Sequence, residues 1–297
     1  MPISKNETVG VIGLGNMGFG IAQNLIRAGL KVLIWDTVEE TMEKFAKSAV
    51  VTSPREMAAT CSIIFLVVPS SSEIEIILTG PNGALSQAQR GLIIYDFTTS
   101  NPKRTIKMAS TAKKRHVHYL DAGMTGGAIG ADAGTLKLMI GGNKDAFNRS
   151  RPILETFTTK LYHLGRSGNG HTMKLIFNMV VHTNFMVICE AGLLAEEVGI
   201  SLENMIEVIN SGNARNYASE RRFPDHILSG TWDARSRIHN LKKDLGLAVN
   251  MAEELGSPVK IGRSTHKYIN EAIKAGMGED DFSLIYKEFR ALTKTET

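Results

Sequence analysis

Thr8-Val9-Gly10-Val11-Ile12-Gly13-Leu14-Gly15-Asn16-Met17-Gly18 joins a β-rich run to a helical pattern that continues from Met17 to Ala28. A G-x-G-x-x-G spacing in that setting has a specific physical use. Gly13 permits a tight turn, Gly15 lets the backbone approach a pyrophosphate, and Gly18 lets the helix lie close to the strand. The start of the helix then presents unpaired N–H groups and the positive end of its dipole to the phosphates. A glycine-rich turn can also serve packing alone, but here the strand before it and the helix after it favour a dinucleotide. Gly13, Leu14, Gly15, Asn16, Met17 and Gly18 are therefore assigned to the cofactor.

Further along the chain, the second β-rich run, Val32-Leu33-Ile34-Trp35, ends in Asp36, eighteen residues past Gly18. A carboxylate near that spacing accepts hydrogen bonds from the adenosine ribose hydroxyls. It also repels a 2′-phosphate, and Thr37 rather than an arginine follows it, so NAD is the expected cofactor. A capping aspartate after a strand is the structural alternative.

Short β-rich runs continue to alternate with amphipathic stretches. Strands are expected at Thr8–Ile12, Lys31–Trp35, Ile63–Val68, Leu92–Asp96, His118–Asp121, Leu136–Ile140 and Leu161–Leu164. The alternation predicts an α/β fold with a parallel sheet covered on both faces. Ser53-Pro54-Arg55-Glu56 carries a capping serine, a proline at the first helical position and a glutamate placed to close a capping box, so a helix starts there.

From Gly168 onward the strand-like runs stop, and apolar residues recur at three- and four-residue spacing. The expected organisation is a Rossmann domain over residues 1–167 and an all-helical domain over 168–297, joined by a long helix. That helix runs from near Asn169 to Val198 without a proline, a length of about 45 Å at the helical rise. Later helices are marked by Ser201 as a cap, by Gly256 and Pro258 as a stop and restart, and by Asp280-Asp281 ahead of Phe282.

At 297 residues the chain is long enough for two cores. Its formal net charge of +4 is too small to imply nucleic acid or anionic lipid. Lys113-Lys114-Arg115-His116 reads as a solvated helix end. Cys61 and Cys189 lie in apolar contexts without metal-ligand spacing, as small hydrophobes do in a reducing compartment. Met1-Pro2-Ile3-Ser4-Lys5 leaves no room for a leader before the first strand, and no apolar stretch is expected to approach a membrane span. Cytoplasmic residence is the expectation for a bacterial protein. No metal is expected; His171 and His182, both on the long helix, read as solvated or core histidines.

Five motifs give a resemblance that covers nearly the whole chain. They are the glycine loop continuing to Ala22-Gln23-Asn24-Leu25; Asp121-Ala122-Gly123-Met124-Thr125-Gly126-Gly127 with Ala133-Gly134-Thr135-Leu136; Gly165-Arg166-Ser167-Gly168-Asn169-Gly170-His171-Thr172-Met173-Lys174 with Asn178; Leu241-Lys242-Lys243-Asp244-Leu245; and Asp96-Phe97-Thr98-Thr99. Together they resemble the β-hydroxyacid dehydrogenase family. The likeness implies that Thr125, Gly126 and Gly127 hold a substrate carboxylate, where the family usually writes D-A-P-V-S-G-G; Gly123 and Met124 depart from that pattern. Consecutive glycines suit the task, since they can turn two backbone N–H groups toward an anion while the hydroxyl adds a third donor.

The likeness further implies that Lys174 is catalytic, that Asn178 orients it and the substrate, and that Lys243 lies near the nicotinamide. Val68, Pro69 and Thr99 would meet the cofactor at the strand ends. Taken alone, Lys174 would be a solvated charge, Lys243-Asp244 a helix-surface pair and the strand-end residues loop caps. A lysine whose pKa is brought down from about 10.4 can exchange a proton near neutral pH.

The implied reaction is hydride transfer between NAD and a small 3-hydroxy carboxylic acid, 3-hydroxyisobutyrate-like, or its semialdehyde. Residues 211–218 are similar to the corresponding stretch of 2-(hydroxymethyl)glutarate dehydrogenase, and Arg215 could bind a second carboxylate there. A dicarboxylate is therefore a nearly equal candidate, the alternative to the 3-hydroxyisobutyrate-like acid, and a surface arginine is the structural alternative. A binding protein of the same fold, as in chromatin-associated relatives, would lack the catalytic lysine, which is present here. The apolar character of the long helix exceeds what one small domain must bury, and the resemblance implies a homodimer or homotetramer through it.

Overall fold

The structure is a computed structural model that describes residues 7–293. The segment Met1-Pro2-Ile3-Ser4-Lys5, read above for a leader, lies outside the described residues. The chain divides into two compact units, Met1–Lys174 and Leu175–Thr297. The division falls inside the long helix, seven residues after the 167/168 boundary expected from sequence.

In the first unit, β1 (Thr8–Ile12), α1 (Gly18–Arg27), β2 (Lys31–Trp35), α2 (Glu39–Glu43), β3 (Val50–Val51), α3 (Pro54–Thr60), β4 (Ile63–Leu66) and α4 (Ser71–Thr79) follow one another. Then come β5 (Ile93–Asp96), α5 (Pro102–Lys113), β6 (His118–Thr125), α6 (Gly127–Ala133), β7 (Leu136–Gly141), α7 (Lys144–Leu154) and β8 (Thr158–His163). The sheet order is β3-β2-β1-β4-β5-β6-β7-β8. Strands β4 and β5 are buried at every position, as strands covered on both faces must be. One apolar cluster, with Ile21, Phe65 and Phe157, covers one face; a second, with Met57, Ile64 and Leu78, covers the other. Ser53 and Glu56 form the expected capping box on α3.

The sheet differs from the expected one in several places, beginning with β8, which starts at Thr158 rather than Leu161. Strand β3 was not expected; two exposed valines show no period. β6 runs on to Thr125, so the Asp121 motif is strand as far as its threonine. β7 pairs antiparallel with β6, although parallel strands were expected throughout. Residues 126–135 supply only the short α6 as a connection, less than a parallel crossover requires, so the chain reverses instead.

The second unit is helical. α8 (Asn169–Glu197) enters it from the first unit, followed by α9 (Leu202–Ser211), a π-helical segment Ala218–Leu228, α10 (Ile238–Glu254), α11 (Lys260–Lys274) and α12 (Ile285–Thr293). The Ser201 hydroxyl accepts the Asn204 N–H at 3.3 Å, and Gly256 turns left-handed (φ 67°) after α10, as their residue types predict. Asp281 caps a 3-10 turn, Phe282–Leu284, that leads into α12. Phe185, Phe223, Leu245, Ile269 and Phe289 form the core.

The expectation that no apolar stretch approaches a membrane span is corrected by α8, which is long and apolar enough by length and composition to cross one. Its sequence also carries Lys174, Asn178 and His182, and its Leu175, Phe185, Met186 and Cys189 are buried in the protein. These are features of a core helix. Both cysteines are buried and unpaired, and burial pushes the Cys61 thiol up to about 12. Lys113 to His116 are exposed at the end of α5.

Candidate functional site

The parallel strands β1, β4, β5 and β6 end at one edge of the sheet, and strand order reverses between β1 and β4. Ligands of such sheets bind in the crevice at that switch point. Gly13 follows β1 with φ 93°, and a Cβ there would lie 2.2 Å from the Val67 carbonyl oxygen. At Gly18 a Cβ would lie 1.8 Å from the Gly13 carbonyl oxygen, so both glycines are required by the turn itself. Gly15 is different, because a Cβ there would meet nothing within 4 Å. The protein leaves this backbone bare on a side where it packs against nothing, which fits a pyrophosphate laid against the loop.

Asp36, just past β2, takes the Leu14 N–H on Oδ2 at 2.5 Å and the Val38 N–H on Oδ1 at 2.9 Å. Thr37 Oγ1 also donates to Oδ1, at 3.5 Å, so Oδ2 is the oxygen that keeps a second lone pair for a ribose hydroxyl. The glycine loop and the acid are thus tied together before any cofactor arrives. Val68, Pro69 and Thr99 lie on the loops that leave β4 and β5 at this edge; Val68 and Thr99 are half-buried and Pro69 is exposed.

Thr125 closes β6, and Gly126 (φ 123°) and Gly127 (φ 62°) turn the chain into α6. Side chains at these φ values are strained, and nothing in the protein lies within 4 Å of a Cβ at Gly127. The turn is fastened to the cofactor helix by Asn24, whose amide donates to the Gly20 and Ala131 carbonyls, each at 2.8 Å. Asn24 was quoted within the N-terminal motif without a role; its burial and its α6 partner supply one.

Lys174 reaches the same place from α8. A Cβ added to Gly123 would lie 2.5 Å from the Lys174 Cβ, so the lysine stem crosses β6 directly over this glycine, two residues before Thr125. Gly123 is where the sequence departs from the family proline.

The start of α8 is held by a residue that sequence reading passed over. The Asp121 carboxylate, fully buried in β6, accepts the Gly168 N–H at 2.7 Å and the His171 N–H at 2.9 Å. His171 is also fully buried: its Nε2 donates to the Asp96 carbonyl at 3.0 Å and its Nδ1 meets the Thr105 hydroxyl at 2.8 Å. It is a core histidine, one turn before Lys174. Asp121 opened a quoted motif, but nothing local announces a helix partner fifty residues away.

Within the helical unit, Asn178 is buried and its amide donates to Asp244 Oδ2 at 2.7 Å, while Lys243 Nζ lies 3.5 Å from Asp244 Oδ1. The structure thus joins Asn178 and Lys243 through Asp244, which from sequence was read only as a surface partner of Lys243. Arg215 is exposed on the turn after α9, where its N–H donates to the Gly212 carbonyl at 3.4 Å.

The bare loop at the switch point, with an acid beside it, is the arrangement of a dinucleotide-binding domain. Residues 8–165 match the family described as the NAD-binding domain of 6-phosphogluconate dehydrogenase. Residues 168–289 match the family described as NAD-binding of NADP-dependent 3-hydroxyisobutyrate dehydrogenase.

Two known sequences and one solved structure extend the likeness. 2-(Hydroxymethyl)glutarate dehydrogenase of Eubacterium barkeri is 30% identical over 98% of this chain and 97% of its own. A probable mitochondrial 3-hydroxyisobutyrate dehydrogenase of Dictyostelium discoideum is 34% identical over 96% and 92%. The structure of Mycobacterium tuberculosis 3-hydroxyisobutyrate dehydrogenase with L-serine superimposes with a TM-score of 0.88 at 27% identity, covering 96% of this chain and 99% of that one. The chain belongs to the β-hydroxyacid dehydrogenase family and is a hydroxyacid dehydrogenase.

Proposed function

We propose that the protein oxidises a small 3-hydroxy carboxylic acid with NAD, or reduces the matching semialdehyde, with Lys174 as general acid and base. The observation that carries the reading is the lysine stem laid across Gly123, beside the Thr125-Gly126-Gly127 turn. The substrate carboxylate accepts hydrogen bonds from the Thr125 hydroxyl and the glycine N–H groups. Lys174 Nζ takes the hydroxyl proton as the carbinol carbon gives up its hydride, and returns it to the carbonyl oxygen in the other direction. Its ammonium form also polarises that oxygen, so proton and positive charge come from one group. The nicotinamide supplies the hydride acceptor.

By resemblance, Asn178 orients the substrate and Lys243 serves the cofactor; their shared partner Asp244 holds both side chains in place. NAD is preferred to NADP because the Asp36 carboxylate repels a 2′-phosphate. A binding protein of this fold has no use for the half-buried Lys174. A reducing compartment such as the cytoplasm suits the two buried, unpaired thiols. Self-association through α8 is part of the proposal, since Ile176, Val180, Val187 and Leu194 form an exposed stripe along it.

The test is NAD reduction against 3-hydroxyisobutyrate, glycerate, 2-(hydroxymethyl)glutarate, 4-hydroxybutyrate and 3-hydroxypropionate, with Lys174→Ala alongside. Turnover of one acid that falls by about 10²–10⁴ in the variant, with NAD binding kept, supports the reading. Silence across the panel, or a variant as active as the parent, overturns it.

A further inference from the structure

The helical unit encloses a cavity of about 50 Å³ lined by His182, Phe185, Tyr217, Arg222, Ser236 and Phe282. One water needs roughly 10–15 Å³ of such space, so the cavity has room for a carboxylate group. The Arg222 guanidinium lies 4.6 Å from the Phe282 ring centre and 5.4 Å from that of Tyr217. Ring faces attract the charge but cannot accept its five N–H groups in the plane of the fork.

Among the described residues Arg222 has neither an ion pair nor a hydrogen bond to its guanidinium, and the carboxylates near it are engaged elsewhere. Asp225 pairs with Arg221 at 2.9 Å. Asp281 Oδ2 accepts the Ala234 and Ser236 N–H groups at 3.0 and 3.2 Å, and its Oδ1 takes the Ser283 hydroxyl at 2.7 Å. Burial pushes the Arg222 guanidinium below its usual range, a cost that an anion in the cavity would offset. An arginine held on two aromatic rings with its donors unspent suits bidentate capture of a carboxylate.

We propose that this cavity is a binding site for the carboxylate of a small organic acid and that Arg222, rather than the exposed Arg215, is the arginine that receives it. The acid is either the second carboxylate of the enzyme's own substrate or a free small acid. The first source rests on the dehydrogenase reading above. Its structural support is that Val181 and His182, which line the cavity, follow Asn178 by three and four residues on one face of α8. The binding site itself does not depend on which acid is turned over.

Glutarate titrated calorimetrically into the full chain is the probe, with Arg222→Gln, Arg222→Lys and the cavity-filling Ser236→Leu compared after thermal melts show which variants fold. The expected result is saturable binding to the parent, weakened at least tenfold by Arg222→Gln and by Ser236→Leu, and less by Arg222→Lys. Should Arg222→Gln fail to fold, the other two variants carry the comparison. No binding by the parent, equal affinity in the folded variants, or loss on Arg215→Ala instead overturns the proposal.

Turnover then separates the two sources. If glutarate competes with the hydroxy acid, and Arg222→Gln, or Ser236→Leu should that variant not fold, lowers kcat/KM for 2-(hydroxymethyl)glutarate at least tenfold relative to that for 3-hydroxyisobutyrate, the site serves the substrate. Binding that leaves KM unmoved assigns the site to a free acid. Glutarate binding without turnover of any acid leaves the cavity assigned and removes only the dehydrogenase reading.

Discussion

A methyl group added at Gly15 would meet no protein atom within 4 Å, whereas at Gly18 it would collide with the Gly13 carbonyl. Of these two glycines in one motif, the fold therefore requires Gly18 and leaves Gly15 free to meet a ligand. Gly15→Ala should leave the melting temperature within about a degree of the parent, while NAD binding by fluorescence weakens more than tenfold, because a Cβ there blocks only the phosphates. Gly18→Ala should lose about 1–3 kcal/mol in urea unfolding, the usual cost of forcing atoms into a packed region. Equal stability of the two variants would sink the distinction. The glycine spacing was legible because its demands are met within one turn of chain. Lys174 was legible only by likeness, since a lysine on a helix has no local signature of chemistry.

At the scale of elements, β6 and the first turn of α8 act together through Asp121 and His171. Asn in place of Asp121 keeps one acceptor and loses the charge. Hydrogen bonds to charged groups contribute about 1.5–3 kcal/mol each, so Asp121→Asn should destabilise the protein by about 2 kcal/mol. As a positioning residue for Lys174, Asp121 should affect kcat at least tenfold when replaced, while the Kd for NAD moves less than threefold. A stability loss with kcat intact would make its role structural alone.

Helices and strands with a clear period lie close to where the sequence put them, and the caps at Ser53 and Ser201 are in place. The two-residue β3 and the reversal between β6 and β7 were not legible. The first is too short for any pattern, and the second depends on what a short connection can reach.

For the molecule as a whole, the exposed apolar stripe on α8 bears on assembly. Val180, Val187 and Leu194 are 52%, 53% and 66% exposed on a helix whose opposite side is core. Sedimentation velocity at micromolar concentration should show a dimer or larger species, and Val187→Glu with Leu194→Glu should shift it to monomer with the melting curve still cooperative. A parent chain that sediments as monomer would remove the assembly role of this helix.

Pattern and composition alone determined that the chain is an α/β dinucleotide-binding protein with a helical second half, and its motifs were enough to identify the family. These features rest on backbone conformations and periodicities set by neighbours a few residues apart. Tertiary structure alone decided which acid caps α8, which carboxylate joins Asn178 to Lys243 and which arginine faces a cavity. Asp121 and His171 are fifty residues apart, and Asn178 and Asp244 sixty-six. A carboxylate can accept from any donor the fold brings within about 3 Å, so its partner is settled by packing rather than by spacing along the chain.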